Sequence, residues 1–182
     1  MQGLLLAAGQ SRRFGADKRL ALVDGRPMAL ACALAMREAL GNVLVVLRAQ
    51  DAVLAHCLAR HGIAVTHCPD AALGMGHSLA HGVRETARAR GWVVGLADMP
   101  AVQSATIRAV AEAVMAGCIA VPVLAGRRGH PVGFDSSYFS ALSVLRGDTG
   151  ARSVVQAHAA RVREVQTEDS GVLLDIDTLR AP

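Results

Sequence analysis

Two rhythms of apolar and polar positions alternate along most of this chain. Residues 3–8 (GLLLAA) form a short unbroken apolar run ending at Gly9, the pattern of a strand buried on both faces. Similar runs recur at 43–47 (VLVVL), 63–66, 92–97 (WVVGLA) and 118–123. Between them lie helical patterns at 27–40, with Pro27 in the first turn, and at 51–62, capped by Asp51 and closed by Gly62. Further helices are predicted at 78–91, opened by Ser78, and at 104–116. Strands alternating with helices of this length predict an α/β fold: three layers, with a doubly wound and mainly parallel Rossmann-like sheet. After Leu124 the rhythm changes, with helical patterns at 136–146 and 151–159 and strand-like runs at 161–165 and 172–176. Nothing reads as a linker, a repeat or a low-complexity segment, so a single domain spanning 1–182 is expected.

Composition narrows the class. Hydrophobic residues make up 52% and charged residues 19% of the 182, which excludes a disordered chain. Aromatics are only 3%, and a core of Ala, Val and Leu suits close helix-on-sheet packing. Charged residues or His interrupt every apolar run before it reaches the roughly 20 residues of a membrane span. The start of the chain lacks a basic stretch before its apolar run, so a soluble, cytoplasmic protein is expected. The net charge of +4 comes mostly from scattered Arg. No Lys/Arg block and no interleaved aromatics accompany it, so a phosphorylated small molecule fits better than nucleic acid. Cys32, Cys57, Cys68 and Cys118 are far apart and read as small buried hydrophobes.

In an open parallel sheet, ligands bind beyond the carboxyl ends of the strands, so the loops there carry the candidate chemistry. The first such loop, at 6–18, reads LAAGQSRRFGADK. Its glycines let backbone N–H groups face phosphate oxygens, Arg13 offers a fork of donors, and Lys18 offers a point charge. The spacing is neither a Walker A loop nor Gly-x-Gly-x-x-Gly. A Gly-rich surface turn with solvated Arg and Lys remains the plainer alternative. Asp98 follows the run at 92–97, where its carboxylate could hold a divalent cation or cap the turn before Pro100. Asp175 and Asp177 alternate on the predicted terminal strand and would point the same way.

The run at 6–18 resembles the signature of the MobA-like nucleotidyltransferases, Leu-Ala-(Ala/Gly)-Gly-x-Ser-x-Arg-(Phe/Met)-Gly-x-x-Lys. The likeness continues through Gly74-Met75-Gly76-His77-Ser78-Leu79, Leu96-Ala97-Asp98-Met99-Pro100 and Gly129-His130-Pro131-Val132. It extends to Gly147-Asp148-Thr149-Gly150-Ala151-Arg152 and Asp175-Ile176-Asp177-Thr178, and is nearest to the molybdenum cofactor cytidylyltransferase branch.

This resemblance implies a nucleotidyltransferase fold with a nucleotide-binding half at about 1–100 and an acceptor-binding half at about 101–182. It implies that Leu6, Ala7, Ala8, Gly9, Gly74, Gly76 and Ser78 bind the nucleotide, and that Arg13, Lys18 and Asp98 are catalytic. Ser78 could equally be an ordinary helix cap. Mg²⁺ would sit on Asp98 with a terminal carboxylate, Asp177 being favoured and Asp175 the reserve. His130, Pro131, Asp148 and Arg152 would face the acceptor, although His130 could be structural and Asp148 could simply pair with Arg152. The implied reaction moves CMP from CTP to a molybdopterin-type acceptor, with a transient handover to a recipient molybdoenzyme. The alternatives are a nucleotidyltransferase using GTP or another phosphorylated acceptor, and a non-catalytic nucleotide- or cofactor-binding protein of the same fold. Ala8 looks like the cytidylyltransferase branch, since the guanylyltransferase branch has Gly there. The run Asp177-Thr178-Leu179 departs from the branch by lacking a Pro, which points to an altered acceptor side.

Overall fold

The computed structural model describes residues 1–9 and 17–176. Arg13 and Asp177 lie outside the described residues. The elements run β1 (Gln2–Leu6), β2 (Leu22–Val23), β3 (Arg26–Pro27), α1 (Met28–Leu40), β4 (Val43–Arg48), α2 (Ala52–Ala59) and β5 (Ala64–Cys68). They continue with α3 (Met75–Glu85), β6 (Gly91–Leu96), α4 (Ser104–Ala113), β7 (Ile119–Leu124), β8 (Arg127–Arg128) and β9 (Val132–Asp135). The described chain closes with α5 (Phe139–Leu142), α6 (Arg152–Ala157) and β10 (Val162–Gln166).

The main sheet has the order β10-β7-β9-β6-β1-β4-β5, with β8 on β7. Pairs β5–β4, β4–β1, β1–β6 and β7–β10 are parallel, and β9 runs antiparallel between β6 and β7. The fold is therefore three-layered, doubly wound and mainly parallel, as the alternation predicted. From β1 the chain winds outward through β4 to β5, then crosses to β6 on the other side. The order reverses between β1 and β6, so the carboxyl ends of those two strands frame the switch-point crevice.

Alternate residues of β1 serve opposite layers. Leu5 and Ala7 join the core beneath α1, α2 and α4, with Met36, Leu54, Leu58, Ile107 and Val110. Leu4 and Leu6 join the other core with Leu79 and Val83 of α3, Trp92, Phe134 and Leu142. Both faces of the central strands are buried, which is why their sequences lack polar alternation.

Four local expectations are corrected. The strand expected at 172–176 is absent: a tight turn at Ser170–Leu173 stands there, tied by Asp169, whose carboxylate accepts from Gly171 N and Gln103 N, each at 2.9 Å, and from Thr106 Oγ1 at 2.8 Å. Ser78 is not a cap, because α3 begins at Met75 with Gly74 at the N-cap position. Asp51 stands at the N-cap position of α2 but gives no side-chain cap bond; Arg19 and Arg48 take its carboxylate instead. The segment at 136–146 is one turn followed by the short α5. The β2–β3 hairpin, turning through Asp24 and Gly25 at positive φ, went unread, as did β8 and β9.

Candidate active site

The β1 and β6 ends lie side by side, with Ala97 N donating to Leu6 O at 3.1 Å. Leu6, Ala7 and Ala8 are buried, and the chain surfaces at Gly9. Past the loop, Asp17 caps a single turn at Lys18–Leu20. That turn directs Lys18 across the crevice, where its Nζ donates to Asp98 Oδ2 at 2.9 Å and to the Ile176 carbonyl at 3.3 Å. Ile176 N in turn donates to the Asp98 carbonyl at 2.9 Å. Three segments far apart in sequence therefore meet at Asp98, with Asp175 exposed beside them. The Lys18 and Asp98 side chains retain 16% and 28% of their exposure, so solvent still reaches the pair.

The field of Asp98 reaches two groups below it. His130 Nδ1 is enclosed and has no hydrogen-bond partner among the described residues. Burial lowers the His130 pKa and the Asp98 charge opposes that, so the imidazole is held neutral around pH 7. Its backbone N donates to the Val172 carbonyl at 2.9 Å. The Cys32 thiol is pushed up to about 12, by burial first and by Asp98 second. His130 and Pro131 line an apolar cleft with Cys32, Met36, Met99 and Ile107, about 310 Å³ including its open mouth.

The second glycine loop has a structural task of its own. Gly74 sits at φ 123°, and a Cβ there would strike the Gly147 carbonyl and come within 2.6 Å of Asp148 Oδ1. Gly76 N donates to Gly147 O at 2.7 Å, and a Cβ on Gly76 would lie 2.6 Å from the Arg146 carbonyl. Gly74 and Gly76 thus let the start of α3 pack backbone-to-backbone on the 146–148 loop. Ser78 is buried in α3, and the Cys68 thiol donates to the carbonyl of its neighbour His77 at 3.7 Å. Asp148 and Arg152 are exposed, and no ion pair joins them among the described residues. Candidate nucleotide-side and acceptor-side residues therefore meet in one wall at Gly74 and Asp148.

A sequence profile of the MobA-like NTP transferase domain matches residues 3–162, most of the chain. The chain belongs to the MobA-like NTP transferase family. It is 34% identical over 187 aligned positions to the purine catabolism protein PucB of Bacillus subtilis, covering 97% of this chain and 91% of that protein. The crystal structure of Rv0371c from Mycobacterium tuberculosis H37Rv superposes with a TM-score of 0.86 at 31% identity, covering 97% of this chain and 92% of that one. A manganese complex of Rv0371C superposes at 0.76 with 28% identity, covering 91% and 87%. The fold and the nucleotidyltransferase assignment expected from the motifs hold. Among the described residues of this MobA-like chain, no three His, Cys, Asp or Glu side chains gather as a ready metal cage. One signal escaped the sequence reading: of 19 Lys and Arg residues, Lys18 is the sole lysine. Arg19, which bonds Asp17, the Ala7 carbonyl and Asp51, also went unread, because nothing local distinguishes it from a solvated Arg.

Proposed function

We propose that this MobA-like transferase moves CMP from CTP to a molybdopterin-type acceptor, releasing pyrophosphate and forming a cytosine dinucleotide of the cofactor. The observation that carries this reading is the Lys18–Asp98 pair at the switch point, beside the exposed Gly9. The acceptor phosphate attacks the α-phosphorus in line, its P–O bond forming as the bond to the β-phosphate oxygen breaks and pyrophosphate leaves. A phosphate anion is already a nucleophile, so no general base is needed, and catalysis is positioning and charge stabilisation.

Backbone N–H groups near Gly9, with Arg13 and Lys18, hold the triphosphate. Lys18, already at the crevice, would move its charge from Asp98 toward the departing pyrophosphate oxygens. Mg²⁺ usually takes one or two carboxylates and completes its shell with water and substrate phosphates, so Asp98 at an open edge fits it without a preformed cage. Asp98 with Asp177, or with Asp175 in reserve, would hold the ion, which when bound neutralises charge on the reacting phosphates. The manganese complex of the Rv0371c relative supports a divalent ion in this family. Neutral His130, with Pro131, Asp148 and Arg152, would face the acceptor, and delivery to a recipient molybdoenzyme would follow. Ala8, buried at the β1 end, narrows the space beside the base and favours a pyrimidine.

The test is pyrophosphate release with Mg²⁺ and molybdenum-loaded molybdopterin, comparing CTP, GTP, ATP and UTP. Turnover confined to CTP and abolished by Asp98→Ala supports the proposal. Preference for GTP refutes the Ala8 argument, and silence with every triphosphate despite nucleotide binding refutes the acceptor.

A further inference from the structure

Lys18 is flanked on both sides by members of a charge-balanced cluster with a buried centre. Asp17 Oδ1 accepts from Arg19 N at 3.1 Å and from Arg19 Nε at 2.7 Å, while Arg19 Nη2 donates to Asp17 Oδ2. Arg19 Nη1 donates to the Ala7 carbonyl and to Asp51 Oδ2, and its Nη2 reaches Asp51 Oδ1 at 2.8 Å. Arg48, at the end of β4, closes the ring: its Nη2 donates to Asp17 Oδ2 at 3.1 Å and to Asp51 Oδ1 at 2.7 Å. Its backbone N donates to Asp51 Oδ2 at 2.9 Å. The Arg19 and Asp51 side chains are only 3% and 4% exposed.

A guanidinium so enclosed, with its donors on two carboxylates and a carbonyl, has no route to a triphosphate on the open edge. Arg19 is therefore set apart from Lys18, its immediate neighbour, which points into the crevice. A planar guanidinium fork fixes direction as well as distance, which an ammonium or a simple turn does not. Here the fork joins the return of the first loop to the end of β1 through Ala7 and to the end of β4 through Asp51. A network of this kind holds when complete and fails when one member is lost, because the remaining buried charges are then uncompensated.

We propose that Arg19 and Asp51 are positioning residues, which clamp the backbone on both sides of Lys18 so that its ammonium meets Asp98 at the switch point. This rests on the reading of Lys18 as the group that holds the triphosphate. The cluster acts through Lys18 and touches neither substrate nor metal.

The experiment compares Arg19→Gln, Asp51→Asn and Lys18→Met with the Arg19→Gln/Lys18→Met double variant, each at a temperature where circular dichroism shows it folded. Arg48→Gln, at a partly exposed member, is the mildest variant and serves if the buried ones do not fold. Two quantities are read: kcat/KM for pyrophosphate release, and the rate at which trinitrobenzenesulfonate modifies Lys18, followed by peptide mass spectrometry. The second is unambiguous because Lys18 is the sole lysine of the chain. Displacement of the ammonium should lower kcat/KM by roughly tenfold to a hundredfold, on the scale known for small misplacements of an active group. Modification of Lys18 should accelerate as its pairing with Asp98 loosens. The double variant should be no worse than Lys18→Met alone.

Independent, additive losses, or an unchanged Lys18 modification rate with only a lower Tm, would overturn the proposal and leave a structural ion cluster. If Lys18→Met turns over normally, the transferase role of Lys18 fails and its positioning with it. If the wild-type chain releases no pyrophosphate, the transferase reading fails, and the modification rates alone decide whether the cluster places Lys18.

Discussion

Two Gly→Ala substitutions separate a glycine kept for a ligand from a glycine kept for packing. At Gly9 an added Cβ meets nothing within 4 Å among the described residues, and φ is not in the left-handed region. Gly9→Ala should therefore be neutral or stabilising by about 0.4–1 kcal/mol, through the reduced freedom of the unfolded chain. Gly74 is the opposite case. Its φ of 123° is strained for any side chain, and the new Cβ would meet the Gly147 carbonyl and the Asp148 carboxylate. The backbone conformation, at φ 123° and ψ 168°, costs about 1–3 kcal/mol and the overpacking about 1–3 kcal/mol, together roughly 2–6 kcal/mol. For a chain of this size that corresponds to a fall in Tm of roughly 4–24 °C. The assay is thermal unfolding by circular dichroism, paired with calorimetric titration of CTP. Gly9→Ala should keep its Tm and bind CTP more weakly, since the methyl occupies the face proposed for the phosphates. Gly74→Ala should lose Tm whether or not nucleotide is present. A Gly9→Ala chain that binds CTP as well as the parent would refute the phosphate role of that backbone. A Gly74→Ala chain with an unchanged Tm would refute the packing argument.

Asp98→Asn should cost at most about 1 kcal/mol of stability, since its partner pair is still solvated, yet lower kcat by roughly 10²–10³-fold; comparable losses in both would mark Asp98 as structural. Ellman titration at pH 8 should leave Cys32 and Cys68 silent until denaturant is added, because both are buried with raised pKa values, while the less buried Cys57 and Cys118 react. Fast reaction of Cys32 in the native chain would contradict its burial at the cleft wall. The lowered pKa of His130 means the folded chain binds its proton less readily than the unfolded chain does. Stability should therefore be full above the unfolded value of about 6.5 and fall as pH drops below it. His81, also lowered by burial, adds to the same trend, so His130→Gln should shrink the loss between pH 7.5 and 5 without abolishing it. A pH profile identical to the parent's would show that His130 titrates normally.

How far the site was legible depends on how local each constraint is. Asp98 was legible because it directly follows the end of a strand apolar on both faces, where a charge stands out. Lys18, flanked by the charged Asp17 and Arg19, was legible only through its glycine loop and the motif that loop carries. The Asp24-Gly25 turn carried a hairpin signal in its residue types and still went unread, because strands of two residues leave no periodicity. Asp175 was expected on a strand, and its neighbour Ile176 instead reaches Asp98 through backbone hydrogen bonding that residue types do not encode.

The sequence by itself determined the layer architecture and the parallel run of strands, because burial on both faces and helical spacing are properties of neighbouring residues. It also determined which loops carry charge. Only the tertiary structure decided that β9, four residues with no pattern of their own, would lie between β6 and β7, since it pairs with the remote β6 as well as with the nearby β7. Only the tertiary structure turned Asp51 from a helix cap into the partner of Arg19, and placed Gly74 against Gly147. Those pairings follow from long-range closure, in which the free energy of a contact depends on what the rest of the chain brings to it.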